Sequence, residues 1–110
     1  MQTEVFNKIV GDQLATCGKT LLYKGREYAP DAEVSSVDRL AHFKKAAAIM
    51  GTSQKAALLG MLTKHIVSIS DMCTDGNEYG MSRWTEKITD SINYLLILRA
   101  VVEEEAEKHG

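Results

Sequence analysis

Between Arg39 and Ser70 the chain carries five basic side chains (Arg39, Lys44, Lys45, Lys55, Lys64), two histidines (His42, His65) and no acid. Cations without counter-charges make a surface that attracts an anion. Lys64 stands out because Ala57, Gly60, Met61, Ser68 and Asp71 share its side of a helix, and small residues there leave a shallow groove. A lysine in a groove is a compact point charge suited to phosphate. The plainer reading is a solvated lysine beside a packing surface. His65 sits between Leu58, Leu62 and Ile69, where a half-buried, hydrogen-bonded histidine is the plainer alternative to a ligand.

Two more groups point the same way. "YKGREY" at 23–28 puts Lys24, Arg26 and Tyr28 in an expected loop, and Tyr79 with Trp84 flank a second one. Cations and rings on loops are the composition of a nucleotide site: charge for phosphates, aromatic faces for a base. Glu86, Asp90 and Asn93 continue the apolar run of Tyr94, Ile97 and Val101 into polar groups. Asp90 and Asn93 could read a base edge or a ribose hydroxyl; helix capping or an ion pair with Lys87 or Arg83 is the alternative. No P-loop, dinucleotide fingerprint, Ser-His-Asp spacing or paired-cysteine motif is present. Cys17 and Cys73 alone make neither a disulfide framework nor a zinc site; one reads as a core residue, the other as a loop residue.

These side chains need helices to position them. Apolar residues recur at helical spacing, predicting a first helix over about 3–23, with Val5, Ile9, Cys17 and Leu21 on one stripe and Phe6, Val10 and Leu14 beside it. The stretch 23–36, with Gly25 and Pro30, reads as a loop. Ser36 is the expected cap of a helix to Met50 with Leu40, Phe43 and Ala47 inward, and Gly51 its stop. Ser53 caps a third helix over about 54–70, cored by Leu58, Leu62, Ile66 and Ile69, antiparallel to the second. Residues 71–81 read as a loop. Ser82 then caps a last helix over 83–107 whose main stripe is Trp84, Ile88, Leu95, Leu98 and Val102. Residues 94–98, "YLLIL", make that helix apolar almost all round, which implies a central position or a second subunit.

The expected fold is an all-α bundle of about four helices, one domain over 1–110, in an oligomer. A length of 110 residues, 45% hydrophobic and 25% charged, fits a globular domain and excludes a disordered, collagenous or fibrous chain. The formal net charge of −2 argues against nucleic acid as the partner. With no run of 18 apolar residues and no signal-peptide layout, a cytoplasmic location is expected. Glu103, Glu104, Glu105 and Glu107 read as a solvated face.

The segments "RLAHFKKAA", "GMLTKHIVSISDM" and "EKITDSINYLLILRA" resemble small phage and prophage proteins grouped with nucleotide-modification-associated domains. The resemblance covers roughly 23–103. Through them the chain is similar to the all-α nucleotide pyrophosphohydrolases of the MazG and dimeric dUTPase kind, which hold Mg²⁺ with carboxylates on two helices. On that resemblance Glu86, Asp90 and Asp71 would be the catalytic carboxylates, yet Glu86 and Asp90 are four apart and Lys64 stands where a carboxylate is wanted. Magnesium needs hard oxygen ligands. A helical protein that binds a nucleotide without cleaving it resembles the phage sponges, the anti-CBASS proteins in particular, that sequester cyclic nucleotide immune signals. Three readings follow: a metal-free, non-catalytic nucleotide binder using Lys24, Arg26, Tyr28, Lys64, His65, Tyr79, Trp84, Asp90 and Asn93; an Mg²⁺-dependent pyrophosphohydrolase; or a module whose last helix docks another protein.

Overall fold

A computed structural model describes the backbone of residues 1–28 and 38–109, and the side chains of 1–22 and 38–109. The described residues form four helices and no strand: α1 (Thr3–Tyr28), α2 (Ala41–Met50), α3 (Gln54–Thr74) and α4 (Met81–His109). The all-α expectation holds. None of these helices is long and apolar enough to cross a membrane. The chain divides into two compact units, 1–37 and 38–110.

The first unit contains α1. Gly11 and Gly18 would each cost about 1 kcal/mol relative to Ala, yet the helix runs through both. Local bonds support it: Lys8 pairs with Asp12 at 2.7 Å, and the Thr16 and Thr20 hydroxyls donate to the carbonyls of Asp12 and Thr16. The helix ends at Tyr28, not near residue 23. Lys24, Arg26 and Tyr28 therefore stand on its last turns and not in a loop, and their side chains lie outside the described ones. Cys17 is buried, but Val5, Phe6, Ile9, Val10 and Leu14 of the expected stripes are exposed.

In the second unit α2 starts later than expected. Its N-cap is Leu40, and the capping acceptors belong to Asp38, which takes the Leu40 N–H on its carboxylate at 2.9 Å and the Ala41 N–H on its carbonyl. Ser36 lies outside the described residues. Gly51 closes α2 at φ 66°, with its own N–H and that of Thr52 turned back onto Ala48 and Ala47; this left-handed position is why a glycine stands there. Ser53 caps α3 by accepting the Ala56 N–H at 3.1 Å, as expected. The helix then continues past residue 70, because Met72 is buried on its inner side, which makes 75–80 the connection and places exposed Cys73 on a helix. The helix α4 begins at Met81, with the Gly80 carbonyl taking the Arg83 and Trp84 N–H groups. Ser82 is inside the helix and does not cap it.

The core is small. Leu40, Leu58 and Val101 are buried together, with Phe43, Tyr94, Ile97 and Leu98 packed against them. Val101 meets Leu58, Tyr94 meets His65 and Glu105 meets Lys55, so α3 and α4 run antiparallel in one register.

That register corrects both stripes. The side of α4 facing α3 carries Asp90, Tyr94, Ile97 and Val101; of the expected main stripe Leu98 packs against the core, whereas Ile88, Leu95 and Val102 are exposed. On α3 Leu58 is buried, but Ile66 is exposed. Uninterrupted apolar runs are the natural reading of a core; here the seam takes the mixed face, because His65 and Tyr94 stack there and supply apolar area of their own.

The C-terminal acids are corrected as well. Glu104 pairs with Lys44 at 2.9 Å and Glu105 with Lys55 at 3.0 Å. Lys44 also holds Asp38 at 2.7 Å. The stretch that lacks acids in sequence meets them in space, from one turn of α4.

Replacing Leu58, 2% exposed, by Ala should cost about 2–5 kcal/mol of unfolding free energy in a denaturant titration. Replacing Ile49, 77% exposed, should cost under about 1 kcal/mol. Equal effects at the two positions would contradict this core.

Candidate functional site

With the register fixed, the α3–α4 hairpin has two distinct edges. Lys44 of α2 reaches Glu104 of α4, and α2 packs on α3, so α2 marks one edge. By helical spacing, Lys64, Ser68 and Asp71 of α3 lie along this edge beyond α2, together with Glu86, Thr89 and Asn93 of α4. Asp90 lies between this edge and the seam. The sequence-derived candidates Lys64, Asp90 and Asn93 thus share one side of the hairpin. Asp71 and Glu86 share it too.

Asn93 is the unusual member. It is 6% exposed, and its Oδ1 is buried with no hydrogen-bond partner among the described residues. Leaving a buried amide oxygen unpaired costs about 1–3 kcal/mol, so such a group marks either a stored penalty or a place where a donor belongs. The neighbouring buried polar groups are better served. Ser91 donates to the Lys87 carbonyl at 2.9 Å, and Thr89 has a partner of its own.

In the seam, the His65 ring lies 5.1 Å from that of Tyr94, tilted by 37°, and its Nδ1 is buried without a partner among the described residues. Burial raises the Tyr94 phenol above its ordinary value, and the nearby Asp90 charge adds to the rise. Tyr94 was not among the sequence candidates, although its four-residue spacing from Asp90 could have signalled it. Lys64 is exposed, and no acid among the described residues pairs with it.

Tyr79 and Trp84 do not join this group. Trp84 and Asn93 are nine residues apart, two and a half helical turns, and so point to opposite sides of α4. The two rings meet each other edge-on at 6.2 Å. The Arg83 guanidinium covers Tyr79 at 5.5 Å, and the Tyr79 hydroxyl donates to the Asp75 carboxylate. Asp75 also accepts the Asn77 N–H at 2.8 Å. The rings expected to stack on a base thus make contacts around the 75–80 connection, whose Gly76 sits at φ 79°. The hydrogen bonds from Tyr79 and then the Asn77 backbone hold Asp75 below the ordinary carboxylate value.

Among the described residues no three His, Cys, Asp or Glu side chains gather closely enough to hold a metal ion. Asp71, Glu86 and Asp90 share a side of the hairpin without forming a metal cage. The cation surface is also smaller than the sequence suggests: Lys44 and Lys55 are neutralised, and Arg39 has a partner.

Compared with family models, curated proteins and solved structures, the chain matches none of them. The likeness to nucleotide-modification-associated and MazG-type proteins thus rests on the quoted motifs alone.

The Asp75 bond raises the Tyr79 phenol above its ordinary value. A group raised on folding adds stability that is complete below its unfolded value and is lost as pH rises through the folded one. Carbon-13 NMR of labelled tyrosine rings should show Tyr79 titrating above free tyrosine, and returning to the ordinary value in Asp75→Asn. An ordinary Tyr79 value in the parent protein would remove this bond from the account.

Proposed function

We propose that the polar side of the α3–α4 hairpin binds a phosphate-bearing small molecule, a nucleotide, and holds it without cleaving it. The observation that carries this reading is the buried, unpartnered Oδ1 of Asn93 on the side that also bears unpaired Lys64. A base amino group or a ribose hydroxyl is a donor for the amide oxygen, and a phosphate is the acceptor for the ammonium. Asp90, half-buried near the same edge, offers a second acceptor for sugar hydroxyls. His65, with its own unpartnered ring nitrogen, supports the floor of the site. Lys24, Arg26 and Tyr28 remain candidates from the sequence alone. Tyr79 and Trp84 are not part of this reading, because Trp84 points away from Asn93 and packs on Tyr79, whose hydroxyl holds Asp75.

Binding without cleavage is favoured over hydrolysis by Lys64, a cation on the same side of the hairpin as Asp71 and Glu86. Sequestration of a nucleotide signal, cyclic species included, is the biological role that such a binder would serve, and a phage anti-defence setting fits the resemblance that the motifs carry. Self-association belongs to the same reading, since α4 keeps apolar side chains outside its own hairpin.

Thermal-shift screening against linear and cyclic nucleotides without divalent cation should reveal a stabilising ligand, recovered intact by chromatography. A charge-assisted bond is worth about 1.5–3 kcal/mol, so Lys64→Ala should weaken binding about 10- to 150-fold. Asn93→Leu should lose the ligand while keeping or raising the melting temperature, because it removes an unsatisfied amide. Undiminished binding in both variants, or Mg²⁺-dependent breakdown of the nucleotide, would overturn the proposal.

A further inference from the structure

The connection between α3 and α4 holds a reactive pair that the ligand reading leaves unused. Asp75–Gly76 is the one place in the sequence where a glycine follows an aspartate or an asparagine. At such a step the glycine main-chain nitrogen can attack the aspartate side-chain carboxyl carbon, because glycine has no Cβ to block the approach. A C–N bond forms, the carboxyl C–OH bond breaks, and the proton of the nitrogen leaves with that hydroxyl as one water. Water then opens the resulting five-membered succinimide at either carbonyl. One opening restores aspartate; the other routes the main chain through the side-chain carbons and yields isoaspartate. Nothing beyond water is consumed.

The connection supplies both the access that this reaction needs and a brake on it. Asp75 and Gly76 are exposed, and a Cβ built on Gly76 would meet nothing within 4 Å. Asp75 ends α3 at φ −80° and ψ −7°, with its N–H bonded back to Asp71. Its Oδ1 accepts the Asn77 N–H at 2.8 Å, which folds the side chain forward over the Gly76 peptide. The carbon to be attacked is thus held beside the attacking nitrogen. What the site lacks is the proton. Cyclisation runs through the carboxylic acid, since an ionised carboxylate has no hydroxyl to lose. Oδ2 accepts the Tyr79 hydroxyl, and this bond, followed by that of Asn77, holds Asp75 below the ordinary carboxylate value. The same bond raises the Tyr79 phenol, so Tyr79 stays a hydrogen-bond donor and does not give up its proton. Its ring is fixed by Trp84 edge-on and by the Arg83 guanidinium.

The geometry points to Asp75 as a site of spontaneous aspartate-to-isoaspartate conversion, and to the Tyr79 hydroxyl as the latch that slows it in the folded chain. This goes beyond the ligand reading and does not depend on it. Conversion lengthens the main chain by one carbon where α3 ends and shortens the side chain by the same carbon. The carboxylate then falls out of register with the Asn77 N–H and the Tyr79 hydroxyl.

The test is to age the full chain at neutral pH, folded and in urea, and to follow isoaspartate at residue 75. Peptide mass spectrometry and methyl transfer from S-adenosylmethionine by an isoaspartyl methyltransferase both read it. In urea, where no latch exists, the parent and Tyr79→Phe should convert at the same rate. Folded, the parent should convert more slowly than in urea. Folded Tyr79→Phe should convert about 2- to 10-fold faster than the folded parent, the factor that one net hydrogen bond is worth. Phenylalanine keeps the ring against Trp84, so circular dichroism should show an unchanged helix content; the comparison of folded with unfolded parent needs no variant. Asp75→Glu, which could cyclise only to a slower six-membered ring, should lose the signal. No isoaspartate at residue 75 in urea, or a signal that survives Asp75→Glu, overturns the site. A folded parent that converts as fast as the unfolded chain, or a folded Tyr79→Phe no faster than the parent, overturns the latch.

Discussion

Leu58 and Val101 are withdrawn from solvent where α3 crosses α4, and the same register sets Lys55 against Glu105 and His65 against Tyr94. A helix repeats every 3.6 residues, so once two such points are pinned, every other side chain on the two helices has an assigned direction. The polar residues Lys64, Asp90 and Asn93 go to one edge. Leu95, Val102 and Ile66 go to the other. A shift of one residue in this pairing would rotate the site away from its own members and bury the apolar strip in the seam.

The pairing is held by little hydrophobic area, and electrostatics fix its direction more than its strength. Surface ion pairs are worth at most about 1 kcal/mol each, so Lys44–Glu104 and Lys55–Glu105 cannot carry the fold. They do choose between alternatives. Bases without acids on α2 and α3 meet acids near the end of α4 only when α4 runs antiparallel to α3, and like charges would face solvent or each other otherwise. The charge segregation in the sequence is therefore first a topological instruction; among the described residues of this stretch, Lys45 and Lys64 stand exposed outside its ion pairs.

Much of this was legible before the structure. The turn at Gly51, the cap at Ser53 and the inward Leu40, Phe43 and Ala47 follow from residue types with strong local preferences. What misled was the choice of face. In α4 the cleanest apolar stripe, Trp84 to Val102, contributes only Leu98 to the core and leaves Ile88, Leu95 and Val102 exposed, because a helix with apolar residues almost all round gives several equivalent stripes and only a partner decides among them. The loop at 71–81 misled for a related reason: the local composition is polar and glycine-containing, but Met72 gains burial if the helix continues. For the candidate site, spacing alone placed Lys64, Asp90 and Asn93 on neighbouring positions of two helices, whereas the contact between Tyr79 and Trp84 and the bonds of Tyr79 to Arg83 and Asp75 are tertiary facts that spacing does not carry.

Native-state hydrogen exchange tests the α3–α4 register most directly, because each amide reports the opening of its own segment. The amides around Leu58 and Val101 and those around His65 and Tyr94 should share one opening free energy, the highest in the 38–110 unit, and should fall together in Leu58→Ala. Independent opening of α3 and α4, with different free energies that respond separately to that substitution, would contradict the register on which the site and the apolar face both rest.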